Sequence, residues 1–182
     1  ALAATAAAVA LVPDLQPSVI AQALQSFKVA GHRGQQVAEA RGIVAIDNSK
    51  ATNPHAADSA LAGHDSVIWV AGGQLKGAEV DDLVARHAHR LKAVALMGVD
   101  RNIIRESVEK HAPGVPIFVT DDTDPQSAMD AVCAWAVTHA RSGDAIVLAP
   151  AAASLDMYTG MGQRGVLFAE SVSAHLGGVA PK

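Results

Sequence analysis

Four short apolar runs, Val67 to Val70, Ala93 to Met97, Ile117 to Val119 and Ala145 to Leu148, recur between segments with helical spacing. A run without polar alternation has no face suited to water, so it is expected to be covered on both sides. Parallel strands inside a sheet meet that demand, with the intervening helices packed over the two faces. Two further runs, Gln36 to Ala40 and Ile43 to Ile46, are separated only by Arg41-Gly42, which predicts a hairpin at one edge. Helices are expected at about residues 54–62, 79–90, 101–111, 124–141 and 163–176. Upstream, helices are expected over residues 1–12 and from Pro17 to the break at Gly31-His32-Arg33-Gly34, and the tail from Gly177 is expected to fray. The predicted class is α/β: a Rossmann-like, mostly parallel sheet flanked by helices, with right-handed crossovers and an edge hairpin.

Half of the 182 residues are apolar but only 3% are aromatic, so the core must be built from Ala, Val, Leu and Ile. A net charge of -4 argues against nucleic acid as a partner, since its phosphates want a basic face. It leaves room for a phosphorylated small molecule, which needs only a few local cations. The single Cys133 can form no internal disulfide, as suits a reducing cytoplasm. The apolar opening, residues 1–12, is shorter than the roughly 18 residues of a membrane span, and no cationic segment of a secretory signal precedes it. No membrane association is expected. A chain that opens inside a helix without Met reads as a piece of something longer.

Ligands of such sheets bind beyond the carboxyl ends of the strands, so the loops there are where chemistry is expected. IDNSKATNP, residues 46–54, crowds an acid, a lysine and several short polar side chains into one loop. Asn53-Pro54 reads as an N-cap followed by a proline in the first turn, which would place Lys50, Thr52 and free N–H groups around an anion. A capped turn with a solvated lysine would look the same. AGGQLKG, residues 71–77, pairs two glycines with Lys76 at what reads as a helix start, although no G-x-x-x-x-G-K-[ST] phosphate loop occurs. LAPAAASLDMY, residues 148–158, turns tightly around Pro150 and presents Ser154, and Arg33 in GHRG suits a phosphate or a flat base. Three other signals are set aside. Gly160 to Gly165 matches G-x-G-x-x-G too far from a strand, His87 and His89 face different ways, and Cys133 lies on an apolar helix face. No metal site is expected.

Taken in order, HRG, DNSKATNP, GGQLKG and LAPAAASLDMYTGMGQRG with Phe168 resemble the C-terminal domain of the Mur ligase family, in its D-glutamate-adding branch, from about His32 to about Ser173. The resemblance implies that residues 1–29 end a central ATPase domain and that residues 30–182 form the C-terminal domain. It implies ATP-dependent amide-bond formation between UDP-MurNAc-L-alanine and D-glutamate in peptidoglycan synthesis, in the cytoplasm and as a monomer. The carboxylate is activated as an acyl phosphate, which the glutamate amine attacks. Magnesium ligands would lie mainly upstream, this piece alone would be inactive, and no catalytic residue is assigned within it. By resemblance, Thr52, Lys76 and Ser154 hold the two glutamate carboxylates, joined by Lys50 and by the backbone at Leu155 and Met161. Arg33 and an acid at Asp47 or Asn48 contact ATP. Aligning the acid leaves one inserted residue, whereas aligning the lysine places Asn48 at the acid's position. Met161, Ala149 and Ala152 stand where the family often has Phe, Ser and Cys. A non-catalytic nucleotide-binding module, or another Mur or folate-type ligase, remains the alternative.

Overall fold

The edge hairpin forms because Arg41 and Gly42 both take positive φ, 56° and 73°, as a two-residue I′ turn requires. It joins β1 (Gln35–Ala40) to β2 (Ile43–Asp47) in antiparallel pairing, with a bulge between Gln36 and Ala38. The computed structural model describes residues 9–12, 16–26 and 31–177. The chain divides into two compact units, Ala1–Ala30 and Gly31–Lys182. In the first, residues 9–11 are helical and α1 spans Pro17–Ser26. Most of the helix expected over residues 1–12 lies outside the described residues, as does the tail from 178 onward.

The second unit continues with α2 (Pro54–Leu61), β3 (Val67–Gly72), α3 (Asp81–His87), β4 (Leu91–Met97) and α4 (Arg101–His111). It closes with β5 (Ile117–Val119), α5 (Pro125–His139), β6 (Ala145–Leu148) and α6 (Met161–Leu176). The six strands run in the order β1-β2-β6-β3-β4-β5, parallel from β2 onward. Successive residues of β3 alternate between two cores, as the pleat dictates. Val67, Trp69 and Ala71 pack with Leu61, Val84 and Ile104 on the α2, α3 and α4 side. Ile68 and Val70 pack with Met129, Val132 and Phe168 on the α5 and α6 side. Every residue of β3 is buried, as an unalternating run implies. Ile117 to Val119 departs from that expectation. Among the described residues β5 pairs only with β4, at the far edge of the sheet, and its three residues are half-buried.

Helix starts follow the local chemistry. Asn53 Oδ1 accepts from Ala56 N at 3.0 Å ahead of Pro54, and Asp124 Oδ1 accepts from Ser127 N at 2.8 Å ahead of Pro125. Such caps contribute about 1 kcal/mol each. The helix expected over 79–90 is shorter, Asp81–His87, and Val80 at its start offers no capping side chain. The arrangement of layers decides where a ligand can sit. β2 and β3 lead into helices on one face of the sheet, whereas β6, between them, leads into α6 on the other. The loops after β2, β6 and β3 therefore stand side by side at the carboxyl edge of the sheet, where ligands of such folds bind.

Candidate functional site

The loops that follow β2, β3 and β6 are bound to one another. Asn48 N donates to Leu148 O at 2.8 Å, and Gly72 N donates to Pro150 O at 2.9 Å. Gln74 and Ala153 exchange both backbone hydrogen bonds, each at 2.9 Å. Trp69 supports the third loop from below, its indole Nε1 donating to Ala149 O at 2.7 Å. The paired glycines let this backbone pass close to β4 on one side and to the loop after β6 on the other. A Cβ on Gly72 (φ 119°) would collide with the Met97 carbonyl oxygen, and one on Gly73 (φ 128°) with that of Ala153.

Among the described residues, four non-glycine residues have positive φ, and three of them lie in these loops or at their margin: His32 (63°), Lys76 (55°) and Ala151 (59°). Such backbone costs of order 1–3 kcal/mol per residue and persists where its surroundings enforce it, commonly at functional sites. Lys76 is exposed in the turn with Gly77. It does not open a helix, since α3 starts only at Asp81.

Beneath the loops lies a residue the sequence reading passed over. Arg164 of α6 is wholly buried. Its Nε donates to Ser49 Oγ at 3.1 Å and its Nη2 to Ser49 O at 3.0 Å. Its Nη1 donates to Gly72 O at 3.3 Å and to Ala152 O at 3.1 Å. Ser49 Oγ in turn donates to Met161 O at 2.7 Å. Burial pulls the guanidinium pKa down to about 10, which still leaves it charged at neutral pH. One sequence signal was available: Arg164 stands at helical spacing with the buried Phe168 and Val172.

Beside this network opens a cleft of about 390 Å³ lined by His32, Arg33, Asn48, Lys50 and Ser59 among others. Asn48 Oδ1 accepts from Gly34 N at 2.7 Å, and Lys50 N donates to His32 O at 3.1 Å. Asp47 is 1% exposed and lies under the cleft. One of its carboxylate oxygens meets His32 Nδ1 at 2.6 Å and the other accepts from Ser49 N at 2.8 Å. Gly165 packs against this pair so closely that a Cβ would strike His32. That contact accounts for the last glycine of the G-x-G-x-x-G match.

The remaining site residues are placed as follows. Arg33, Asn48 and Lys50 share the cleft, although the resemblance groups Lys50 with the glutamate residues. Thr52 is half-buried two residues further on, its N–H donating to Lys50 O at 2.9 Å. Ser154 is 4% exposed, and its carbonyl accepts from Met157 and Tyr158 N–H groups. Leu155 and Met161 face solvent, 66% and 41% exposed. The N–H groups at the start of α2 are not all free, because Asn53 takes that of Ala56. His87 is buried against Asp58 at 2.8 Å, while His89 is exposed. Among the described residues no group of three or more His, Cys, Asp or Glu side chains could hold a metal ion. Cys133 is buried, and burial pushes its thiol pKa up. No helix among the described residues is long and apolar enough to cross a membrane.

Comparison with known proteins bears on the same loops. The family described as "Mur ligase, glutamate ligase domain" matches residues 32–152. The UDP-N-acetylmuramoylalanine–D-glutamate ligase of Corynebacterium diphtheriae is 64% identical over 97% of this chain and 37% of that protein. The ligase of the same name from Corynebacterium efficiens is 58% identical over 97% of this chain and 37% of that protein. The crystal structure of UDP-N-acetylmuramate-alanine ligase MurC from Thermotoga maritima shares the fold, with a TM-score of 0.60 at 13% identity. It covers 91% of this chain and 36% of that one. The chain thus spans little more than a third of the length of these curated relatives. Since the family match covers residues 32–152, about two thirds of the chain and including the cleft and the paired glycines, the chain belongs to the Mur ligase family, in its glutamate ligase domain.

Proposed function

We propose that this chain is the C-terminal domain of a cytoplasmic, monomeric, ATP-dependent ligase that adds D-glutamate to UDP-MurNAc-L-alanine in peptidoglycan synthesis. On this reading residues 1–29 are the end of the central ATPase domain. The observation that carries the proposal is the tying of three loops, bearing Thr52, Lys76 and Ser154, into one unit at the carboxyl edge of the sheet. The names of the corynebacterial relatives supply the substrate.

D-Glutamate is a dianion whose single amine must face the activated carboxyl group. Gripping both carboxylates fixes the direction of the amine, whereas one grip leaves it swinging. Lys76 provides charge, and Thr52 and Ser154 provide directional donors. Holding reactants in register in this way removes up to roughly 7–11 kcal/mol of barrier in ideal cases. The neighbouring cleft fits ATP in its donor set: Arg33 and Lys50 suit phosphate oxygens and the Asn48 amide suits a polar edge. Asp47, turned inward to His32, supports that wall from beneath, so Asn48 takes the place of the family's acid. Magnesium, when bound, neutralises charge on the phosphates. The described residues do not form a cage for it, and we assign its ligands to the ATPase domain.

The test joins this chain to the N-terminal two thirds of the Corynebacterium diphtheriae relative. The hybrid should incorporate labelled D-glutamate into UDP-MurNAc-L-alanine, dependent on ATP. Binding of ATP without any amide product would instead favour a non-catalytic nucleotide module.

A further inference from the structure

We propose that Arg164 is the positioning residue of the amino-acid site, holding the loops after β2, β3 and β6 at fixed distances from one another. Its substrate rests on the function proposed above; its mechanical part does not. A wholly buried cation is a poor space-filler, because its desolvation commonly exceeds what it gains, and well-packed apolar residues often replace buried ions without loss. What an apolar residue could not reproduce is the pattern of donors. Guanidinium N–H groups point in fixed directions. Here they reach the carbonyls of Ser49 and Ala152, in the loops after β2 and β6, and of Gly72, where β3 enters its loop, and none bonds a carboxylate. Ser49 Oγ, which accepts from Arg164 Nε, passes the link on to Met161 O at the start of α6.

Every anchored residue lies close in sequence to one of the proposed glutamate contacts: Ser49 to Thr52, Gly72 to Lys76, and Ala152 to Ser154. The anchor therefore sets the spacing of the two grips without touching the ligand. Lysine could keep the charge but has a single nitrogen, so it could satisfy only part of the set.

A role in stability alone lowers the active fraction, and with it kcat, while leaving each KM unchanged. A positioning role raises the KM for D-glutamate. In the hybrid ligase, Arg164→Met should raise that KM by about tenfold or more and lower kcat/KM for D-glutamate by up to about a hundredfold, as misplacements near 1 Å do. The KM for ATP should stay within about twofold, and Arg164→Lys should recover part of the loss. In the 182-residue chain itself, hydrogen exchange should quicken in residues 49–53, 72–77 and 151–155, while β4 keeps its protection. Should Arg164→Met fail to fold, Arg164→Lys and Ser49→Ala carry the same two measurements, with smaller expected effects in the same direction. Unchanged KM for D-glutamate, or exchange rising equally in β4, would overturn the proposal. A wild-type hybrid that ignores D-glutamate would remove the assigned function, and the exchange pattern would still decide the role of Arg164.

Discussion

Replacing Lys76 by glycine should separate stability from function. Lys76 sits at φ 55°, in the left-handed region, with its side chain exposed. Among the described residues no hydrogen bond or ion pair holds its ammonium. An L-residue in that region costs roughly 1–2 kcal/mol. Glycine escapes this strain but loses about 0.5–1 kcal/mol through its freer unfolded chain. Lys76→Gly should therefore leave stability unchanged or raise it by up to about 1.5 kcal/mol, read as the midpoint of urea unfolding of this chain. In the hybrid ligase the same change removes the proposed cation at a glutamate carboxylate. Losing one partner of a desolvated charge pair typically costs about 2–5 kcal/mol, less where solvent screens it. At about 1.4 kcal/mol per decade, the KM for D-glutamate should rise at least tenfold, with the KM for ATP nearly constant. Lys76→Ala is the control: equal loss of charge, strain retained, stability within about 0.5 kcal/mol. A loss of more than about 1 kcal/mol in Lys76→Gly would show that native contacts, not ligand, hold this backbone. An unchanged glutamate KM would remove Lys76 from the site.

Two further outcomes test the surroundings. Gly165→Ala drives a Cβ into His32 and to 2.6 Å from Asp47 Oδ2, so it should cost about 1–3 kcal/mol in urea unfolding and raise the KM for ATP more than that for D-glutamate. Hydrogen bonding from His87, aided by Arg86, holds the Asp58 carboxyl below its usual range, and Lys110, with Ser107 and His111, does the same for Asp81. Their folded-state pKa values lie below the unfolded ones, so the stability they contribute is present above about pH 4 and is lost as pH falls. Asp58→Asn combined with Asp81→Asn should therefore be less stable than wild type at pH 7 and should approach it near pH 2, which unfolding curves across that range would check.

The sheet was legible because burial on both faces leaves a simple mark, an apolar run without alternation, and β3, β4 and β6 carry it. β5 carries the same mark and lies at an edge, since three residues of pattern cannot say whether another strand will follow. The loops were legible as polar crowding after strands, and Arg33, Asn48 and Lys50 do meet in one cleft. Arg164 was not legible as an anchor, because arginine is ordinarily a surface residue and its partners are chiefly backbone carbonyls, which a sequence does not locate. Asp47 and Asn48 are adjacent and chemically alike in sequence. Only the β2 pleat decides that one turns in to His32 and the other out to the cleft. Gly165 illustrates the same limit: its G-x-G-x-x-G match was set aside for its distance from a strand, and its need for glycine, which comes from His32 and Asp47, left no mark in the sequence.

The proposed selection of D-glutamate by these loops is the property to measure. Its most direct test offers the hybrid ligase an equimolar mixture of D-glutamate, L-glutamate, D-aspartate and meso-diaminopimelate with ATP and UDP-MurNAc-L-alanine, and weighs the products by mass spectrometry. The account predicts one product, the D-glutamate adduct. A mixture tracking the supplied amino acids, or a dominant adduct of any other, would contradict it.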